Sequence, residues 1–251
     1  MTSSLFPDYA ETHDWYIQAQ SISAHVHYFL KAVIVGTSWI LAYFALKNLP
    51  ITIVSPIRAS SPLWTLIGAV LIFNEQFTAL QWAGLIVTLT SYYAFALIGK
   101  KEGIHFSSNK WIFMIVLATI IGAGSSLYDK YLIANYDRLA VQAWFSVYLV
   151  VFYIPILLFL WYPARKKNTP FQWRYSIILI GVFLVMADFA YFYALSYADS
   201  LIGVLASLRR GSVVIAFFIG AMLFKDKNVR SKKYVLAGIL IGILMIYWGS
   251  S

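Results

Sequence analysis

The chain has 251 residues, 61% of them hydrophobic and 12% charged, with a mean hydropathy of +0.74. A soluble domain carries roughly 25% charged residues, so this composition is that of a membrane protein. An aromatic share of 18% excludes disorder, and the absence of cysteine excludes disulfides, thiolate metal sites and cysteine catalysis while leaving the redox compartment undecided.

Taken in chain order, residues 1–27 read as a polar extracytoplasmic leader. It holds Asp8, Glu11, Asp14, His13, His25 and His27, and without lysine or arginine it lacks the basic flank of a signal peptide. Its histidines are expected to be ordinary surface residues, because the spacing His25-Val26-His27 is weak for a metal. Eight apolar runs long enough for a bilayer core of about 30 Å follow: Tyr28 to Leu46, Ile51 to Phe73, Ala79 to Ile98, Trp111 to Tyr131, Ala140 to Tyr162, Ser176 to Ser196, Ser200 to Phe224 and Tyr234 to Trp248. Backbone polar groups must be satisfied inside lipid, so each run is predicted to be helical, giving an all-α integral membrane protein of eight transmembrane helices. Pro50, Pro56 and Pro62 crowd the entrance of the second span, where they would disturb the hydrogen-bond ladder. Trp111, Trp161 and Trp248 stand near span ends as interfacial anchors. Gly238 and Gly242 make a small-residue face on the last span, suited to intrachain packing or to a homodimer seam.

The net charge of +9 is read first as topology rather than as a nucleic-acid surface, and no nucleic-acid partner is expected. The connections after spans 1, 3, 5 and 7 carry thirteen of the nineteen basic residues, from Lys47 to Lys233. The other side holds only Lys31, Lys130 and Arg138, and the positive-inside rule makes the thirteen-residue side cytoplasmic with both termini outside.

The chain also repeats itself. Ala45 and Leu46 match Ala194 and Leu195 at an offset of 149; Arg58, Ser61, Phe73 and Glu75 match Arg209, Ser212, Phe224 and Asp226 at 151; Gly84 matches Gly238 at 154. Spans 1 and 6 are five crossings apart and run in opposite directions, the inverted-repeat architecture of secondary transporters.

The stretches IRASSPLWTLIGAVLIFNEQFTALQWAG (Ile57 to Gly84) and ASLRRGSVVIAFFIGAMLFKDKNVRSKK (Ala206 to Lys233) resemble the EamA-type drug/metabolite transporter superfamily. Family members usually have ten spans as five plus five. The resemblance therefore implies three plus five here, the first two spans lacking: residues 28–98 as a partial first repeat, 99–110 as a cytoplasmic linker and 111–249 as the second repeat. The usual family orientation puts both termini in the cytoplasm, and the charge count gives the opposite. The resemblance further implies an alternating-access carrier for amino acids, related metabolites or drugs in the cytoplasmic (inner) membrane, without a cofactor.

Charged residues at membrane depth cost at least about 2.5 kcal/mol each, so those inside spans are expected to face a cavity or a partner. Four qualify: Arg58, Asp188, Arg209 and Arg210. Asp188 and Arg209 lie 10.5 positions either side of the turn between Ala198 and Asp199, so both stand about 16 Å from the membrane edge and can pair. The repeat equivalent of Asp188 is Trp39, which leaves Arg58 against an aromatic face. Three arginines against one aspartate favour an anionic group on the ligand; the alternative is a static lock between Asp188 and Arg209, with Arg58 and Arg210 snorkelling. In the carrier reading Arg58 and Arg209 bind an acidic group, Asp188 couples a proton or holds Arg209, and Trp39, Tyr191 and Tyr193 supply apolar contacts. Arg210 and Asp129 are additional candidates, although Asp129 with Lys130 reads as a solvated interfacial pair. Glu75 and Asp226 are assigned to helix ends. The competing classes are a membrane-embedded enzyme on lipid-linked substrates, for which no catalytic or metal constellation stands inside the spans, and a non-transporting fragment or partner subunit.

Overall fold

The computed structural model describes residues 17, 19–49, 54, 57–58, 60–74, 76–100, 109–165, 171–197, 202, 205, 209 and 229–249. Among them the regular structure is helical throughout: α1 (Ile22–Asn48), α2 (Ser61–Phe73), α3 (Ala79–Lys100), α4 (Lys110–Asn135), α5 (Arg138–Ile156), α6 (Tyr175–Leu195) and α7 (Val229–Trp248). By length and composition α1, α4, the stretch Arg138–Trp161 and α6 can each cross a membrane, and Ser61–Phe73, Ala79–Ser91 and Tyr234–Trp248 are shorter apolar helices. Of the predicted span Ser200 to Phe224 only three residues are described, and Glu75, Arg210, Asp226 and His13 lie outside the described residues.

Local chemistry sets the helix ends. α1 begins six residues before the apolar run at Tyr28 because Ser21 caps it: its Oγ accepts from the Ala24 amide at 3.2 Å and its carbonyl from His25 at 3.2 Å. The predicted leader therefore ends inside a helix. α2 starts at Ser61, ten residues after the predicted entrance, with Pro62 in its first turn, where a missing N–H costs nothing. It stops at Asn74, whose left-handed φ of 51° closes the cap on the Ala69 carbonyl. Asp137 caps α5 by accepting from the Ala140 amide at 2.8 Å. Pro155 cannot donate within α5, and the helix continues as a π turn over Leu157–Trp161 before one further α turn at Tyr162–Ala164. Phe159 and Leu160 on this stretch, and Ile180, Phe183 and Met186 on α6, are exposed apolar side chains, the surface that a membrane protein presents to hydrocarbon.

The chain divides into two compact units, Met1–Gly36 with Tyr128–Ala198, and Thr37–Leu127 with Asp199–Ser251. The second unit holds a core of Ala42 and Ala45 from α1, and Leu49 just after it, against Ile112, Ile115 and Ala118 from α4, with the Ser38 hydroxyl donating to the Ala118 carbonyl at 2.7 Å. In the same unit α3 and α7 touch backbone to backbone. A Cβ on Gly242 would stand 2.6 Å from the Gly84 carbonyl oxygen, and one on Gly84 2.6 Å from that of Gly242. The Gly238 and Gly242 face is thus seated within the chain, against Gly84, Thr88 and Ser91.

Candidate functional site

The first unit encloses two buried charges. The Lys31 ammonium on α1 is ion-paired and hydrogen-bonded to the Asp129 carboxylate on α4, and the two side chains are only 2% and 6% exposed. The rings of Phe145 (α5) and Phe192 (α6) cover the ammonium, with centroids at 4.5 and 4.9 Å from Nζ. Four helices therefore meet at this pair. Two charges taken out of water survive only where pairing and ring faces replace hydration, and all three supports are present.

One turn before Lys31, the His27 ring nitrogen lies 2.5 Å from the Tyr128 hydroxyl, next to Asp129 in the chain. His25 meets the Tyr148 hydroxyl at 3.0 Å and the edge of Trp144 at a centroid distance of 4.5 Å. Tyr28 is fully buried and donates to the Gln20 side chain at 2.9 Å. These contacts correct three expectations. His25 and His27 are half-buried, tyrosine-bonded helix residues rather than surface histidines of a leader. Lys31, counted on the sequence as a flanking charge, is buried. Asp129 belongs to an interior pair rather than to a solvated one with Lys130. The common reason is that α1 and α4 extend beyond their apolar runs, so residues at the edges of those runs stand inside helices.

The other sequence candidates are distributed between the units. In the second, Arg58 is half-buried and close enough to Arg209 for their charges to repel, with Tyr43 as a further polar neighbour, one turn after the half-buried Trp39 on α1. Arg209 is exposed. In the first unit, half-buried Asp188, buried Tyr191 and exposed Tyr193 stand on α6. Tyr191 lies against Phe192 at a centroid distance of 5.4 Å, and the Tyr193 hydroxyl accepts from Tyr197 at 2.8 Å. Donating that bond favours the neutral form of Tyr197 and pushes its phenol above the ordinary range. Arg138, read on the sequence as a flank, is half-buried, and its guanidinium lies 4.9 Å from the Phe189 ring and 5.0 Å from that of Tyr193.

The pattern of the EamA-like transporter family matches residues 12–97 and 109–248. The chain belongs to the EamA-like transporter family. Its members are membrane transporters of small molecules rather than enzymes, and the apolar helices of this EamA-like chain make it a multi-pass membrane protein. A comparison with curated proteins finds no match.

Sequence reasoning missed Lys31, Arg138 and Gln142 as interior polar residues of this EamA-like protein. Lys31 carried a usable signal, a lone charge three residues into an apolar run, but the edge of a run was read as the edge of the membrane. Among the described residues no group of three or more His, Cys, Asp or Glu side chains is placed to hold a metal.

Proposed function

We propose that the protein is a secondary transporter of eight spans that moves a small organic metabolite with an acidic group, an amino acid or an organic anion, by alternating access across the cytoplasmic membrane, its basic loops in the cytoplasm. The observation that carries this reading is the match to one transporter family in two separate stretches, 12–97 and 109–248. The offsets of 149 to 154 relate the two stretches, and the crossings between equivalent spans invert the second against the first.

For the substrate, the support is electrostatic. Arg58 and Arg209 are repeat equivalents that stand within electrostatic reach of each other in one unit, and two guanidinium groups together favour an anionic group on the ligand. Arg58 and Arg209 then bind the acidic group, with Arg210 in reserve on the next position. Trp39, Tyr191 and Tyr193 are the proposed apolar and ring residues of the substrate path, and Asp188 the proposed proton-coupling group. Asp129 serves as the counter-ion of Lys31.

Counterflow in proteoliposomes tests the reading, with a panel of carboxylates, amino acids and one organic cation. Accumulation of an acid that Arg58→Ala and Arg209→Ala reduce, and that Lys166→Ala on a connecting loop leaves unchanged, is the expected result. Transport of the cation undiminished by either arginine substitution overturns the acidic-substrate assignment and leaves the carrier; no counterflow of any compound overturns both.

A further inference from the structure

The N-terminal end of α1 is fastened to its neighbours by two histidines. Each meets a tyrosine hydroxyl through Nδ1, His25 that of Tyr148 on α5 at 3.0 Å and His27 that of Tyr128 on α4 at 2.5 Å. His27 also stands among phenol rings, with the centroids of Tyr128, Tyr131 and Tyr136 at 6.2, 5.8 and 5.7 Å from its own. It is half-buried, and a proton needs no cavity to reach it.

Placement relative to the ion pair separates the two histidines. Lys31 follows His27 by four residues on α1, so their Cβ atoms share one helix face about 6 Å apart, whereas the six residues from His25 turn that ring away. Asp129, the carboxylate paired with Lys31, directly follows the Tyr128 that bonds His27. The other charged and titratable groups on the elements meeting here are Lys130 on α4, Asp137 at the head of α5, Arg138 and Tyr148 on α5, and Asp188 on α6, one turn before the Phe192 ring that covers Lys31. Asp137 is committed to the α5 cap, and Arg138 lies against Phe189 and Tyr193.

A neutral His27 accepts from the Tyr128 hydroxyl and leaves Asp129 to Lys31. A protonated His27 is a second cation one turn from Lys31. The two like charges repel, and both draw on the same carboxylate. We propose that His27 is a proton-binding site that controls the Lys31–Asp129 pair: the neutral ring leaves the pair closed, and the protonated ring takes a share of Asp129 and loosens Lys31 from it. Each cation has ring support, His27 from the three tyrosines and Lys31 from Phe145 and Phe192. The stabilisation supplied by the pair is therefore complete where imidazole is neutral and falls as pH drops from about 8 towards 5. Coupling is reciprocal, so closing the pair expels the proton. Use of this site in driving transport rests on the carrier reading; proton control of the pair does not, and it is separate from the role proposed for Asp188.

The test is the coupling between Lys31→Met and Asp129→Leu in the melting temperature of the purified full chain in nanodiscs. It is read from the parent, both single variants and the double variant at about pH 8 and about pH 5.5. The coupling should fall by about half or more at the lower pH. Repeated with His27→Gln, which keeps a side-chain acceptor without the change of charge, the cycle should give the same coupling at both pH values; with His25→Gln it should fall as in the parent. Equal coupling at the two pH values in the unsubstituted background overturns the proposal. A fall that persists with His27→Gln assigns the titration to another group and overturns it as well. Should a single variant fail to fold, spin labels at Val26→Cys and Val147→Cys, exposed positions on α1 and α5 of a chain without native cysteine, report the distance between these helices. That distance should change with pH when His27 is present and stay constant with His27→Gln; a distance indifferent to pH, or one that moves equally in both, overturns the site. None of these measurements uses a substrate, so their failure leaves the proposed function standing.

Discussion

Removing one member of the Lys31–Asp129 pair separates a charge from its ion-pair partner on a neighbouring helix. The two side chains are 2% and 6% exposed, so the remaining charge cannot be rehydrated in place. Breaking a buried pair in this way costs about 3–5 kcal/mol. For a chain of this size each kcal/mol lowers the melting temperature by roughly 2–4 °C, so Asp129→Asn and Lys31→Met should each lower it by roughly 6–20 °C. Asp129→Asn leaves the ammonium with the Phe145 and Phe192 rings, worth about 2 kcal/mol when desolvated, and belongs at the mild end of the range. Lys31→Met takes the ammonium from the buried Asp129 carboxylate, a charge that ring faces do not stabilise, and belongs at the severe end. The double replacement Lys31→Met with Asp129→Leu removes both charges and keeps most of the volume, so it should return to within about 1.5 kcal/mol of the parent. Thermal unfolding of the detergent-solubilised full chain, followed by a fluorescent tag or by circular dichroism, measures all four proteins. A double variant as unstable as the sum of the singles, or single variants within about 0.5 kcal/mol of the parent, would refute the account of this pair as a mutually dependent interior unit.

The glycine seam makes a second prediction. Gly242→Ala must push α7 off α3 and should cost about 1–3 kcal/mol by the same thermal assay. Gly124→Ala, with nothing within 4 Å of the added methyl, should be neutral or stabilising by up to about 1 kcal/mol; equal effects at the two positions would contradict the close approach. Asp137→Ala removes the α5 cap and should lower stability by about 1 kcal/mol, whereas Asp137→Ser should keep most of it. Reporter fusions after Lys101 and after Lys167 should both show cytoplasmic activity; extracytoplasmic activity at both reverses the proposed orientation.

The helices were legible wherever an apolar run and its helix share ends, as at Ser176 to Ser196 against α6. They were misjudged where a polar cap extends or shortens the helix. Ser21 starts α1 six residues early, and α2 begins at Ser61 with Pro62 in its first turn, because hydropathy measures contact with lipid and hydrogen bonding decides where a helix begins. The candidate site divides along the same line. Their charge inside apolar runs, together with the repeat, singled out Arg58 and Arg209, which the structure brings within electrostatic reach in one unit. The partnership of Lys31 with Asp129, 98 positions apart, and of Arg138 with the rings of α6 depends on which faces of separate helices meet. One sequence carries no record of that. A lysine near the start of an apolar run looks the same whether it snorkels or turns inward.

The π turn at Leu157–Trp161 has a consequence for how α5 tolerates changes in length. A single wide turn accommodates one residue more than an α turn over the same rise, so it behaves as an absorbed insertion. Deleting one residue between Leu157 and Trp161 should let the segment regularise into an α-helix while Arg138, Gln142 and Phe145 upstream keep their facing. The same deletion placed before Pro155 would rotate those residues by about 100° relative to everything that follows. Length variation in this helix is therefore confined to one turn, downstream of the side chains that face α1 and α6, where its outer surface meets hydrocarbon and demands only that the residues be apolar.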